Sequence, residues 1–223
     1  MSISVADIKN WTKYHTFAVL TGWLGSMYCG SFVPMLACAT VSLLMLCTRD
    51  VSSVMTLASG ITTLRFSLIM ISLMNAASWS SYVLFAVLVI AILLDVVDGY
   101  VARKMNQTTL LGQHYDMEVD AIFVLSMGVY YYAYRDIAMW ILVPGLLRYL
   151  YTTLMIFLPK ETFAETKQRY ASTIAGIFFV ILLAAILLQG IAQEVLLFIG
   201  SLLIAISFGK SFFDYLNYNE SSN

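Results

Sequence analysis

A succession of long apolar runs constrains this chain more than any other feature. They lie at about 61–78, 81–97, 119–133, 137–158, 171–191 and 195–213, with a further apolar region at 16–47. A membrane-spanning helix needs about 20 predominantly apolar residues, and the six runs are near that length. Hydrophobic residues make up 61% of the chain and charged residues 11%, against roughly 45–50% and 25% in ordinary soluble domains. A globule of 223 residues could not hide so much apolar side chain without large exposed patches. The expected fold is therefore all-α, a polytopic membrane protein. A membrane or amphipathic segment over 1–50 would precede a six-transmembrane-helix domain over 51–223. The region 16–47 is long for one span and short for two. Gly22, Gly25, Gly30 and Pro34 suit a tilted first helix followed by a span near 31–47.

Charge removes other classes. Twelve Lys and Arg against thirteen Asp and Glu give a net charge of −1, so there is no basic field to hold nucleic acid. No long polar tract supports a disordered scaffold. Cys29, Cys38 and Cys47 stand nine residues apart in apolar surroundings and read as small buried hydrophobes, not as a metal or disulfide pattern. If the last six segments alternate, Arg49, Arg65, Arg103, Lys104, Lys160, Lys167, Arg169 and Lys210 fall on one side and only Arg135 on the other. The positive-inside rule then places the 103–111 and 159–170 loops and the C-terminus in the cytoplasm. Tyr130, Tyr131, Tyr132 and Tyr134 read as an interfacial belt on the outer side.

Five of the thirteen acids, Asp95, Asp98, Asp116, Glu118 and Asp120, lie within 26 residues flanked by apolar helix. Ionisable groups at membrane depth are costly and mark functional sites with partners. Asp95 and Asp98 are three apart, and Gly99, Ala102 and Arg103 continue the same stripe. On the next helix Gly112, Asp116 and Asp120 repeat every fourth residue. Two helices joined by a short loop would thus face each other across four carboxylates. Glu118, about 200° round the helix from Asp116, should point away. Four carboxylates cannot stay ionised together in a low-dielectric site without a cation. Oxygen-only ligands suit Mg²⁺ or Mn²⁺, and two such ions would clamp phosphates. The glycines permit close approach of a ligand, and Arg103 can neutralise a phosphate from the loop side.

The run Asp95-x2-Asp98-Gly99-x2-Ala102-Arg103-x8-Gly112-x3-Asp116-x3-Asp120 resembles the signature of the CDP-alcohol phosphotransferase family at every fixed position. The resemblance implies a six-helix core with the motif on its second and third helices. It implies that Asp95, Asp98, Asp116 and Asp120 hold two divalent metals, with Asp120 also deprotonating the acceptor hydroxyl. It further implies that Gly99, Ala102, Arg103 and Gly112 cradle the CDP moiety, with Thr109 beside them. Members often begin the first core helix with Asn-x2-Thr-x2-Arg near the nucleotide, and Ser59, Thr62 and Arg65 occupy that pattern, serine replacing asparagine. The expected reaction is transfer of a phosphatidyl group from CDP-diacylglycerol to a hydroxyl acceptor with release of CMP. The expected partners are those substrates, the lipid bilayer and a second copy of the chain in a homodimer.

Arg148 lies in the middle of an apolar run, where a lone charge needs a partner or a ligand. It either binds an anionic group on the acceptor or pairs with an aspartate across the bundle. Lys160, Lys167 and Arg169 would draw an anionic acceptor or anionic lipid heads to the cytoplasmic loop. Together they favour a polyol or polyol phosphate acceptor, as in phosphatidylglycerophosphate or phosphatidylinositol synthases. Two alternatives stand beside this reading. One is an aminoalcohol phosphotransferase that moves phosphocholine or phosphoethanolamine from a CDP-alcohol to diacylglycerol. The other is a Mg²⁺ transporter, which leaves the spacing of Gly99, Ala102, Arg103 and Gly112 unexplained.

Overall fold

The computed structural model describes residues 5–47, 56–105, 109–157 and 169–220, and every regular element among them is helical. The helices are α1 (Val5–Cys29), α2 (Val33–Cys47), α3 (Leu57–Met74), α4 (Ser81–Lys104), α5 (Leu110–Tyr134), α6 (Val143–Phe157), α7 (Arg169–Ile186) and α8 (Ile191–Glu220). A 3₁₀ turn, Met139–Leu142, leads into α6. Leu57–Met74, Ser81–Lys104 and Ile191–Phe213 are long and apolar enough to cross a membrane, whereas Val33–Met45 and Ala171–Ile186 are apolar but shorter.

Local chemistry sets the boundaries. The side chains of Thr56, Ser80 and Thr109 accept from the amides of Ser59, Val83 and Gly112 and start α3, α4 and α5, each satisfying an orphan donor of a first turn. The Thr109 cap begins α5 nine residues before the apolar run expected at 119, because the acidic turn 112–118 is carried on the helix. The run expected at 137–158 shortens to α6, since Asp136 has φ +54° and the chain tightens into the 3₁₀ turn before Pro144. The run expected at 171–191 ends at Ile186 because Gly190, at φ +62°, makes the turn into α8.

Region 16–47 resolves into a helical hairpin. Gly30, at φ +61°, ends α1 and turns the chain into α2, a position where glycine carries no Cβ penalty. A Cβ on Gly22 would lie 2.8 Å from the carbonyl oxygen of Pro34 and from Cβ of Cys38, so the glycine lets the two backbones touch. The boundary expected near residue 50 lies outside the described residues.

α5 is the central element. It packs against α3 and α6, α3 pairs with α4, α7 pairs with α8, α4 meets α7, and α1 rests on α6. Val119, Ile122, Leu125 and Met127 of α5 are fully buried. A Cβ on Gly145 would come within 2.6 Å of the Leu125 Cα, which marks a close α5–α6 crossing. Large apolar side chains on the periphery, such as Tyr28, Val96 and Ile191, are exposed, as a lipid-facing surface requires.

Two expectations are corrected here. Tyr130 and Tyr131 are buried, and only Tyr132 and Tyr134 face outward. The Tyr131 hydroxyl donates to the Leu182 carbonyl, and Arg135 donates to the Ile186 carbonyl. The Ile186 carbonyl ends α7 and has no intrahelical donor, and the Tyr131 bond ties α5 to α7, so half of the tyrosine belt serves packing instead. Cys29 is exposed and Cys38 half-buried, because the hairpin turn leaves Cys29 at its outer edge; the Cys47 side chain lies outside the described residues.

Candidate active site

Three helices converge at the end of the bundle where α4 stops and α5 starts. From α3, Ser59, Thr62 and Arg65 follow one another at three-residue steps and are all buried, Arg65 with only 2% of its surface exposed. From α4 come Asp95 and Asp98, and from α5 Asp116 and Asp120. Asp98 is buried, whereas Asp95, Asp116 and Asp120 keep about a third of their side chains open. Asp95, Asp98 and Asp116 each offer a carboxylate oxygen, and these atoms lie within 4.8 Å of one another. Such a convergent, all-oxygen set can hold a hard divalent cation.

The cation seen among these acids belongs to the chain. Arg65 Nη2 donates to Asp116 Oδ1 at 2.7 Å and to Asp120 Oδ1 at 3.1 Å. Its Nη1 pairs with Asp95 and stands 3.9 Å from Asp98 Oδ2. Thr62 Oγ1 donates to Asp98 Oδ2 at 2.8 Å. The motif therefore folds four carboxylates around one guanidinium, and one positive charge leaves the group strongly anionic. Arg65, expected at the nucleotide, lies at the aspartates.

Beside the acids opens a cavity of about 340 Å³, within the range of small-ligand sites. Its lining takes Thr56, Ala58, Ser59 and Thr62 from the start of α3, Asp98, Gly99, Ala102 and Arg103 from α4, and Thr109, Gly112, Gln113 and Asp116 from α5. A Cβ on Gly112 would lie 3.0 Å from Thr109 Oγ1 and 3.8 Å from Ser59 Oγ, so glycine keeps this wall open. Arg103 is exposed, with its guanidinium beside Gly99. Of the residues expected at the nucleotide, Ser59, Thr62, Gly99, Ala102, Arg103, Thr109 and Gly112 share this one lining.

Thr56 and Gln113 were not anticipated. Thr56 donates to Ser59 Oγ at 2.9 Å and accepts from the Ser59 amide; a threonine three residues before Ser59, ahead of an apolar run, is a legible cap signal. Glu118 points away from the aspartates, and Arg148 Nη2 donates to it at 2.7 Å. Arg148 thus has a carboxylate partner across the bundle, a glutamate and not one of the four aspartates. Lys160 and Lys167 lie outside the described residues, as does the side chain of Arg169.

Residues 55–207 match the family model described as CDP-alcohol phosphatidyltransferase. The chain belongs to this family. CDP-alcohol phosphatidyltransferases are phosphotransferases that act on CDP-alcohols with divalent metals, so the protein is an enzyme. The match runs from the cap of α3 into α8 and leaves α1 and α2 outside it. No match is found among curated proteins or among solved structures.

Proposed function

We propose that this CDP-alcohol phosphatidyltransferase moves a phosphatidyl group from CDP-diacylglycerol to a hydroxyl acceptor, a polyol or polyol phosphate in preference, and releases CMP. One observation carries the reading. The cavity wall built by Gly99, Ala102, Arg103 and Gly112 is continuous with Asp98 and Asp116, so a diphosphate held by the wall meets the acids. We assign two divalent ions, Mg²⁺ or Mn²⁺, to Asp95, Asp98, Asp116 and Asp120, whose convergent oxygens fit them. Bound there, such ions supply charge neutralisation for a pyrophosphate and its leaving group.

The chain's own residues do the rest. Thr62 holds one oxygen of Asp98, and Arg65 holds Oδ1 of Asp120, which leaves Oδ2 for the acceptor proton. As Asp120 takes that proton, the acceptor oxygen bonds to the β-phosphorus, and the bond from that phosphorus to the CMP oxygen breaks. Arg103 on the cavity rim balances charge on the departing CMP. Positioning and electrostatics supply the catalysis, as is general for phosphoryl transfer. The site lies at the bundle end that carries Arg103 and Lys104 in the last turn of α4, which supports a cytoplasmic opening under the positive-inside rule. The homodimer that the resemblance implies is tested by the mass of the detergent-solubilised particle.

The deciding experiment measures CMP release by the purified protein with CDP-diacylglycerol, Mg²⁺ or Mn²⁺, and a panel of acceptors. The panel holds glycerol 3-phosphate, inositol, inositol phosphate and serine. CMP formed with one acceptor and lost in Asp120→Asn establishes reaction and substrate together and makes Asp120 indispensable. Turnover only with a CDP-aminoalcohol and diacylglycerol would replace this reading, and undiminished turnover by Asp120→Asn would refute the assigned base.

A further inference from the structure

A second buried polar cluster lies on the opposite face of α5 and has no part in the site above. It joins the N-terminal hairpin to the core. His15 of α1 is fully buried. Its Nδ1 lies 2.7 Å from Ser42 Oγ of α2, and its Nε2 lies 3.2 Å from Glu118 Oε2 of α5. Arg148 of α6 donates to the other oxygen of Glu118 at 2.7 Å. Trp11 stacks on the His15 ring with centroids 4.7 Å apart and donates to the Ser42 carbonyl at 2.8 Å. Glu118 itself is 3% exposed.

Glu118 sits two residues after Asp116 and two before Asp120, about 200° round the helix from each. α5 is consequently gripped on both faces. Arg65 holds Asp116 and Asp120 on one side, and Arg148 with His15 holds Glu118 on the other. A rotation of α5 about its axis that redirected the two aspartates would pull Glu118 off both partners. A buried carboxylate without partners is strongly disfavoured, so the outer grip resists that rotation. Three helices contribute to it, and two of them, α1 and α2, precede the family match.

We propose that the α1–α2 hairpin is a positioning element for catalysis. Through His15, Glu118 and Arg148 it fixes the rotation of α5 and keeps Asp116 and Asp120 aimed into the metal site. The proposal rests on the reading of those aspartates as metal holders. His15, Glu118 and Arg148 are positioning residues that act through α5.

The test titrates Mn²⁺ into the full-length protein by electron paramagnetic resonance and measures kcat and KM on the same samples. Two variants leave the four aspartates and Arg65 in place: the double variant Glu118→Gln/Arg148→Met, which removes one charge of each sign, and His15→Phe, which keeps a ring against Trp11. Asp116→Asn is the control. The expected result is Mn²⁺ binding weakened about tenfold in both variants, within the range for groups that orient metal ligands. A fall in kcat at unchanged KM for CDP-diacylglycerol should accompany it, with cooperative thermal unfolding retained. Normal Mn²⁺ affinity and normal kcat in both variants would overturn the proposal while leaving the metal reading intact. Loss of folding in both would overturn it too, by assigning the cluster to stability alone. If the unaltered protein binds no more Mn²⁺ than Asp116→Asn, the metal reading itself fails, and the proposal with it.

Discussion

Arg65→Met removes the guanidinium at the centre of the acid group and keeps most of the side-chain volume. The carboxylate oxygens of Asp95, Asp98 and Asp116 lie within 4.8 Å of one another. At an effective dielectric near 20, two unit charges at that separation repel by about 3.5 kcal/mol. Three such repulsions are opposed by Arg65, which touches Asp116 and Asp120 at 2.7 and 3.1 Å. Removing one partner of a buried ion pair costs about 3–5 kcal/mol. Asp95, Asp116 and Asp120 are about a third open to solvent, which screens them and points to the lower end, about 3 kcal/mol. For a chain of this size that lowers Tm by roughly 6–12 °C in the absence of metal.

The sign of the metal response separates this account from a plain packing defect. Excess Mn²⁺ stabilises whatever state binds it, and the variant offers the same acids without a competing guanidinium. The Mn²⁺-induced rise in Tm should therefore be larger in Arg65→Met than in the unaltered protein, bringing the two curves together. The assay is thermal unfolding in detergent with EDTA and then with excess Mn²⁺. A variant as stable as the parent in EDTA would show that Arg65 does not offset the acids. A Tm loss that Mn²⁺ leaves untouched would show that the arginine is held for its packing.

Three further substitutions probe two parts of the site and the helix crossing behind it. Thr62→Val removes the donor to Asp98 at nearly constant shape. A hydrogen bond to a charged group is worth about 1.5–3 kcal/mol, so the Mn²⁺ concentration for half-maximal CMP release should rise; an unchanged metal dependence refutes the link. Gly112→Ala places a methyl 3.0 Å from Thr109 Oγ1 and should raise KM for the CDP-substrate with Tm retained, whereas an unaltered KM would separate this wall from the nucleotide. Gly145→Val forces α6 off Leu125, where even a Cβ would stand 2.6 Å from the Cα. Overpacking of this kind costs about 1–3 kcal/mol, seen as a lower Tm, and an unchanged Tm would exclude the close crossing.

The all-helical fold and the face shared by the aspartates were legible because each rests on one-dimensional regularity. An apolar run of span length reads as a helix wherever it packs, and Asp95-x2-Asp98 and Asp116-x3-Asp120 place carboxylates on one stripe by helix geometry alone. Helix ends were less legible. Hydropathy locates where polar residues begin, whereas α5 begins at the Thr109 cap, with Asp116 and Glu118 both carried on the helix. The tyrosine run shows the same limit, since an aromatic suits a membrane interface and a helix contact equally. Tyr131 went to the contact because the Leu182 carbonyl was there to accept its hydroxyl.

Ion pairing was the least legible layer, and the reason is physical. The cost of burying a lone charge establishes that Arg65, Glu118 and Arg148 must have partners, yet it is silent on which ones. Arg65 lies 51 and 55 residues from Asp116 and Asp120, to which its Nη2 donates, and His15 lies in a hairpin that precedes the family match. No spacing rule reaches across such separations. The partner is set by which faces of α3, α4 and α5 meet, and α5 supplies its own constraint. With Asp116 and Asp120 on one face and Glu118 on the other, α5 can be buried only if cations approach from both sides. Arg65 and Arg148 stand on α3 and α6, two core helices that pack against opposite sides of α5. The charge pattern of that single helix thus calls for an arginine-bearing neighbour on each of its two charged faces.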